Sequence, residues 1–260
     1  MRTALRLTVM KLGGSVLRDL SSYKSCARQI LDRLRAESGS RFVVVVSARF
    51  GETDELLSLA TSLSRIPEPS ALDLLWSTGE IRSAATLALC LHALGARAAA
   101  LDVHQTGIRQ TNGLVVDPAP LRRALEEHEA VIVPGFLASG RGDAVVTLGR
   151  GGSDLSAVAI AAALSADRCE LLKDVPGYFT VNPNHDACAE HLPLIDFRRA
   201  LRMAAEGCDL VQADALDAAR RAGVTLVIRA AHDPRHTIVT AGENDAFRNA
   251  DDSRGAVLGA

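Results

Sequence analysis

Three stretches of this sequence set glycines beside charged side chains. The first is KLGGS, from Lys11 through Gly13 and Gly14 to Ser15, placed where an apolar run ends and a helical pattern begins. Glycines let backbone N–H groups approach an anion closely, and a lysine at a strand end supplies a point charge for phosphate oxygens. A GGS triplet is equally an ordinary turn, and the GxxxxGK[ST] spacing of a P-loop is absent. The second stretch, TLGRGGSD at residues 147–154, sets Arg150 among Gly149, Gly151 and Gly152 and ends on Ser153 and Asp154. A first-turn aspartate is favoured by the helix dipole alone, which explains Asp154 but not an arginine among three glycines. Such a run costs chain entropy unless the backbone must adopt special angles or admit a ligand. The third, KDVPGYFTVNP at residues 173–183, carries Lys173, Asp174 and Phe179 around a Pro176-Gly177 turn. Arg150 is suited to a two-point grip on a carboxylate, and Glu80 with Asp154 to offsetting an ammonium group.

The elements that must hold these residues alternate. Apolar runs at 5–12, 42–46, 98–102, 130–133, 144–147 and 224–228, and the start of 169–183, read as strands. Helical periods fill 23–36, 81–95 and 155–166. This pattern predicts an α/β fold with a mainly parallel sheet covered on both faces by helices. Ligands of such sheets bind beyond the carboxyl ends of the strands, where all three glycine-bearing stretches fall. Residues 65–70 are too short a linker to divide folding units, and the polar end after Gly242 reads as loosely held.

The chain has 260 residues, 48% apolar and 23% charged, with a net charge of −2. With six Phe, two Tyr and one Trp it has neither the charge nor the stacking surfaces of a nucleic-acid binder. Five cysteines with no CxxC pair argue against a disulfide framework or zinc site and for a reduced, cytoplasmic protein. No leader and no apolar run of the ~20 residues that span a bilayer is visible, so no membrane partner is expected. His185, Asp186, Glu190 and His191 fit no common ligand spacing and read as a polar loop, so no protein-held metal is expected. Trp76 and the Leu/Ala stripe of 85–94 read as core or subunit-interface packing.

In this order and spacing the three stretches resemble the amino-acid kinase family. Within it, SARFGETDELL at 47–57, STGEIRSA at 77–84 and HQTGIRQT at 104–111 look like segments of the aspartokinase catalytic domain. The resemblance runs from about Met10 to Val239. It implies a three-layer α/β/α sandwich in a single domain, with acid bound by an N-terminal lobe (about 1–149) and nucleotide by a C-terminal lobe (about 150–260). It implies ATP-dependent phosphorylation of a carboxylate, most simply aspartate to 4-phosphoaspartate, with Mg2+ carried mainly by the nucleotide phosphates. Lys11 and Asp154 would be catalytic, and Ser47, Thr53, Glu80, Arg150 and Ser153 would bind the amino acid. Gly13, Gly14, Ser15, Lys173, Asp174 and Phe179 would bind the nucleotide. A carboxylate with a pKa near ~4 is already ionised, so the chemistry needs alignment and charge neutralisation rather than a general base. A homodimer or higher homo-oligomer is expected by analogy.

The chain departs from the family pattern in the nucleotide loop. Lys173, Phe179 and Asn184 stand where threonine, tyrosine and arginine are usual, and GCDLVQA puts Asp209 at a usual lysine. Each lost charge-assisted contact is worth ~1.5 to 3 kcal/mol. Lys173 either restores part of that charge or is a solvated surface lysine. The sequence ends where aspartokinases usually continue into ACT domains, so feedback control through them is not expected of this chain alone. The competing readings are another acid or phosphate kinase of the same fold, such as an acetylglutamate or nucleoside-monophosphate kinase, and a non-catalytic binding homologue.

Overall fold

The computed structural model describes residues 6–36, 39–183, 186, 188–231 and 233–242. Strand β1 (Leu7–Leu12), helix α1 (Leu20–Ala36) and strand β2 (Arg41–Val46) are followed by helices α2 (Glu52–Leu63) and α3 (Pro69–Ala93) and strand β3 (Ala98–Ala100). Short strands β4 (Ile108–Gln110) and β5 (Leu114–Val116) precede helix α4 (Ala119–Glu127). Strands β6 (Ala130–Pro134), β7 (Leu137–Ser139) and β8 (Val145–Thr147) then lead into helix α5 (Gly152–Leu164). The remainder is β9 (Arg168–Lys173), β10 (Leu194–Asp196), α6 (Phe197–Ala205), α7 (Ala213–Ala222), β11 (Leu226–Ala230) and β12 (His236–Thr240).

Eight strands form one sheet in the order β10-β12-β11-β9-β1-β2-β6-β3, parallel except where β11 meets β12. The expected α/β architecture is present. The alternation of side chains along each strand builds two cores. Val9, Val43, Val45, Val131 and Leu171 face α4, α5, α6 and α7 on one side. Met10, Leu12, Val44, Ile132 and Leu172 face α1 and α3 on the other. These near-continuous apolar strands, buried on both faces, are what a parallel sheet covered by helices requires.

Two helix starts and one sheet assignment differ from the sequence expectation in ways that bear on the site. Helix α3 starts at Pro69, not near 81: Glu68 caps it by accepting from the N–H groups of Ser70 and Ala71, with proline at the first position. Its interior Gly79, a poor helix former, hides the period, and is kept small by close packing on Ala48 and Glu52. Helix α5 begins at Gly152 rather than 155. The strand read at 144–147 is found as β8, but it belongs to a separate four-stranded sheet, β5-β4-β7-β8, whose other three-residue strands were not legible in the sequence. Asn184, His185 and the tail after Gly242 lie outside the described residues.

Candidate active site

Strands β1 and β9 are parallel neighbours, with Lys11 opposite Leu171 and Leu12 opposite Leu172. Lys173 therefore stands two residues beyond Leu171 on the face that Lys11 occupies, the face covered by α5. The first turn of α5 meets them there. Asp154 Oδ1 lies 2.8 Å from Lys11 Nζ, and Oδ2 lies 2.7 Å from Lys173 Nζ. Asp154 and Lys11 are 3% and 7% exposed, so this lysine-carboxylate-lysine arrangement is sheltered from water. Burial pushes the Asp154 carboxyl upward, but the two ammonium groups outweigh it and hold the group below the usual carboxylate range. Lys173 is not a solvated surface lysine.

The helix can begin there because of Gly151, which caps it at φ 76°, ψ 3°. Any side chain at this position would run into Gln212 ahead of α7. Its carbonyl accepts from the N–H groups of Asp154 (3.0 Å) and Leu155 (3.2 Å). The resulting helix N-terminus adds partial positive charge to that of the lysines.

A cleft of about 310 Å³ opens over this point, lined by Lys11, Ser47, Arg150, Ser153, Asp154 and Lys173 among others. Six of the expected site residues thus converge. Ser47, just past β2, donates to Ser153 Oγ at 3.1 Å, tying the end of β2 to the first turn of α5 at the cleft. Arg150 is exposed and makes no hydrogen bond or ion pair among the described residues, leaving its guanidinium available. The Gly13-Gly14-Ser15 turn lies against the Lys11 ammonium: a Cβ on Gly13 would stand 3.3 Å from Nζ. The Gly13 carbonyl closes the turn by accepting from Val16 and Leu17.

Asp174 and Phe179 line a second pocket of about 580 Å³, formed by the loop after β9 and the segment after α6. Asp209 borders both cavities, so they meet at its side chain. Lys173 belongs to the first cavity and not the second. Thr53 and Glu80 do not border the cleft. Thr53 is exposed in the first turn of α2, and its carbonyl accepts from Trp76 Nε1 at 3.3 Å. Glu80 is 4% exposed, accepts from the Ala48 N–H and leaves Oε2 without a partner. Burial pushes its carboxyl up to about 8 against the Ala48 hydrogen bond and the Lys11 charge, with Glu52 adding to the rise.

Sequence reasoning passed over two residues that line these cavities and one beside Glu80. Phe136 lines the cleft at a left-handed φ of 67° and meets Trp76 edge-on at 6.2 Å. The Pro134-Gly135 pair ending β6 was the available signal. Buried Glu52, paired with Arg82, stands near Glu80. Tyr178, in the second pocket, has a buried hydroxyl with no partner. Among the described residues, no group of three or more His, Cys, Asp or Glu side chains could hold a metal ion.

The family model described as the amino acid kinase family matches residues 6–230. The chain belongs to the amino acid kinase family. It is 40% identical over 243 residues to an aspartokinase of Mycolicibacterium smegmatis, covering 90% of this chain but 57% of that one. The chain thus spans little more than half the length of the curated relatives it matches. Among solved structures it is similar to aspartate kinase from Synechocystis, with a TM-score of 0.83 at 36% identity over 91% of this chain and 40% of that one. Aspartokinase III of E. coli, solved in complex with aspartate and ADP, superposes with a TM-score of 0.78 at 25% identity, over 92% of this chain and 66% of that one. The family's three-layer sandwich is the fold found here.

Proposed function

We propose that this kinase-family chain transfers the terminal phosphoryl group of ATP to the side-chain carboxylate of aspartate, giving 4-phosphoaspartate. The observation that carries the reading is the buried Asp154 carboxylate held between Lys11 and Lys173 at the start of α5, beside an unpaired Arg150. Lys11 and the Gly13-Gly14-Ser15 turn would face the transferring phosphate, and Arg150 would grip the α-carboxylate of the acid with Ser47 and Ser153 beside it. Glu80 and Thr53 would complete the acid site from the α2–α3 side. The ATP would lie in the pocket of Asp174 and Phe179, with its phosphates passing Asp209 towards Lys11. The N-terminal half would thereby serve the acid and the C-terminal half the nucleotide. In this reading Mg2+ arrives on the nucleotide phosphates.

The bond from the terminal phosphorus to its bridging oxygen breaks as that from phosphorus to the acid oxygen forms, and no proton moves. The protein's task is alignment and neutralisation of two negatively charged reactants, for which two sheltered lysines and an arginine are suited. The similarity to aspartokinases, one of them solved with aspartate and ADP, supports the choice of substrates. We also propose a cytoplasmic homo-oligomer. All five cysteines are free thiols, no helix among the described residues is long and apolar enough to cross a membrane, and Leu59, Leu63, Ile66, Leu74 and Leu89 are exposed around α2 and α3.

The acidic wall at Asp209 favours one second reading, a homologue that binds the acid without turning it over. ADP release, recorded with ATP against a panel of amino acids, tests both. Release with aspartate supports the first reading. Acid binding by calorimetry without release supports the second.

A further inference from the structure

Asp154 is surrounded by more cation than a buried carboxylate requires. Lys11 alone, 2.8 Å from Oδ1, would neutralise it, yet Lys173 is held 2.7 Å from Oδ2 with its side chain only 14% exposed. Burial and the neighbouring Lys11 charge pull the Lys173 ammonium below its ordinary range, and Asp154 only partly offsets them. Holding two ammonium groups on one sheltered carboxylate is unfavourable unless an anion shares them. The charged side chains lining the cleft are Lys11, Arg150 and Lys173 against Asp154 and Asp209, an excess of one positive charge. The second pocket differs in sign: Asp174, Glu206 and Asp209 line it, and no lysine or arginine does. Cationic charge is therefore concentrated where the cleft meets β1 and β9.

We propose that Lys173 acts on the transferred phosphoryl group, opposite Lys11, and that Asp154 is the spacer that fixes the two ammonium groups on either side of it. This rests on the kinase reading above and sharpens it, since Lys173 is thereby removed from the phosphates that remain with the nucleotide. It also gives Asp209 a meaning. Lys173 and Asp209 face the same cleft, and the chain carries its second cation on the strand β9 wall with an acid on the other.

The test is calorimetric titration of the whole chain, with Mg2+ present, by ADP and by the imido analogue of ATP, which keeps a terminal phosphate. The proteins are the wild type, Lys173→Met, and Lys173→Met combined with Asp209→Lys. Lys173→Met is expected to weaken the analogue about tenfold or more beyond any loss for ADP, the size of one charge-assisted contact. Moving the cation across the cleft in the double variant is expected to restore most of that difference. An equal loss for both nucleotides would overturn the proposal and return Lys173 to the non-transferred phosphates. No loss for either would make it a counter-ion of Asp154 alone. If Lys173→Met does not fold, Lys173→Gln decides, because an amide can still donate to Asp154 but carries no charge for the phosphoryl group. An unchanged analogue-to-ADP ratio in that variant would also overturn the proposal. A wild-type chain that binds neither nucleotide would sink the kinase reading itself, a result distinct from all of these.

Discussion

Lys11 and Arg150 face one cleft but should fail differently when removed. Lys11→Ala is expected to slow phosphoryl transfer by a hundredfold or more, on the order of 3 kcal/mol, while leaving acid binding nearly unchanged, because the ammonium opposes charge that develops during transfer. Arg150→Ala should instead weaken acid binding with nucleotide affinity little altered, and Arg150→Lys should not rescue it, since one ammonium cannot reproduce a two-point grip. Single-turnover rates and calorimetry separate the two, and the same profile for both variants would contradict the assignment. Glu80 offers a test by pH. Its folded carboxyl titrates near 8 against an ordinary 4.5, so the folded state holds a proton that the unfolded chain releases. The group therefore costs stability progressively as pH rises from about 4.5 to about 8. Glu80→Gln should raise the melting temperature relative to wild type by an amount that grows across this window, and a constant difference would show that Glu80 ionises freely. The glycine-flanked ions were legible because their composition has no cheap structural explanation. Phe136 was marked only by the Pro134-Gly135 pair before it, and the depth of Glu80 within α3 was not legible, because a carboxylate in a helix reads as solvated.

At the scale of elements, the site depends on where α5 starts. Gly151 holds a left-handed cap against Gln212, whereas Gly149, also left-handed at φ 74°, has open space around it. Gly149→Ala should cost about 1 kcal/mol of backbone strain and little activity. Gly151→Ala should cost about 2 to 3 kcal/mol, because strain and a clash combine, and should lower activity sharply by displacing Asp154 from the lysines. Denaturant melts with rate measurements check this, and equal effects at the two positions would show that the packing on Gln212 is unimportant. The long strands and α1 could be read from the chain, since five or six consecutive buried apolar residues leave few alternatives. The β5-β4-β7-β8 sheet could be read only at β8, because β4, β5 and β7 are three-residue strands in mixed polar and apolar stretches with no visible alternation.

Across the molecule, one buried carboxylate joins three elements. Glu170 on β9 receives a two-point grip from Arg33 of α1 at 2.7 Å on each oxygen, a 2.7 Å contact from Arg168, and Arg229 of β11 at 3.6 Å. Burial pushes its carboxyl upward, but the arginines outweigh this and hold it below the ordinary 4.5. Its stabilisation is thus complete above about 4.5 and is lost as pH falls through the lower folded value. Glu170→Gln should flatten the acid limb of the stability profile. Arg33→Met should cost about 3 to 5 kcal/mol at neutral pH, because it strands a buried charge; a loss below 1 kcal/mol would mean that Arg168 and Arg229 suffice. The sheet holds one more consequence, in its strand order. Strand β10 is the edge strand and pairs only with β12, which lies between it and β11. On the ribosome, residues 194–196 therefore emerge well before their partner at 236–240, and at the usual pace of synthesis they wait several seconds. For most of that interval β11, at 226–230, is also still to come, so the nascent sheet ends in an unpaired edge at β9, the point where a holding chaperone would be expected to engage this chain.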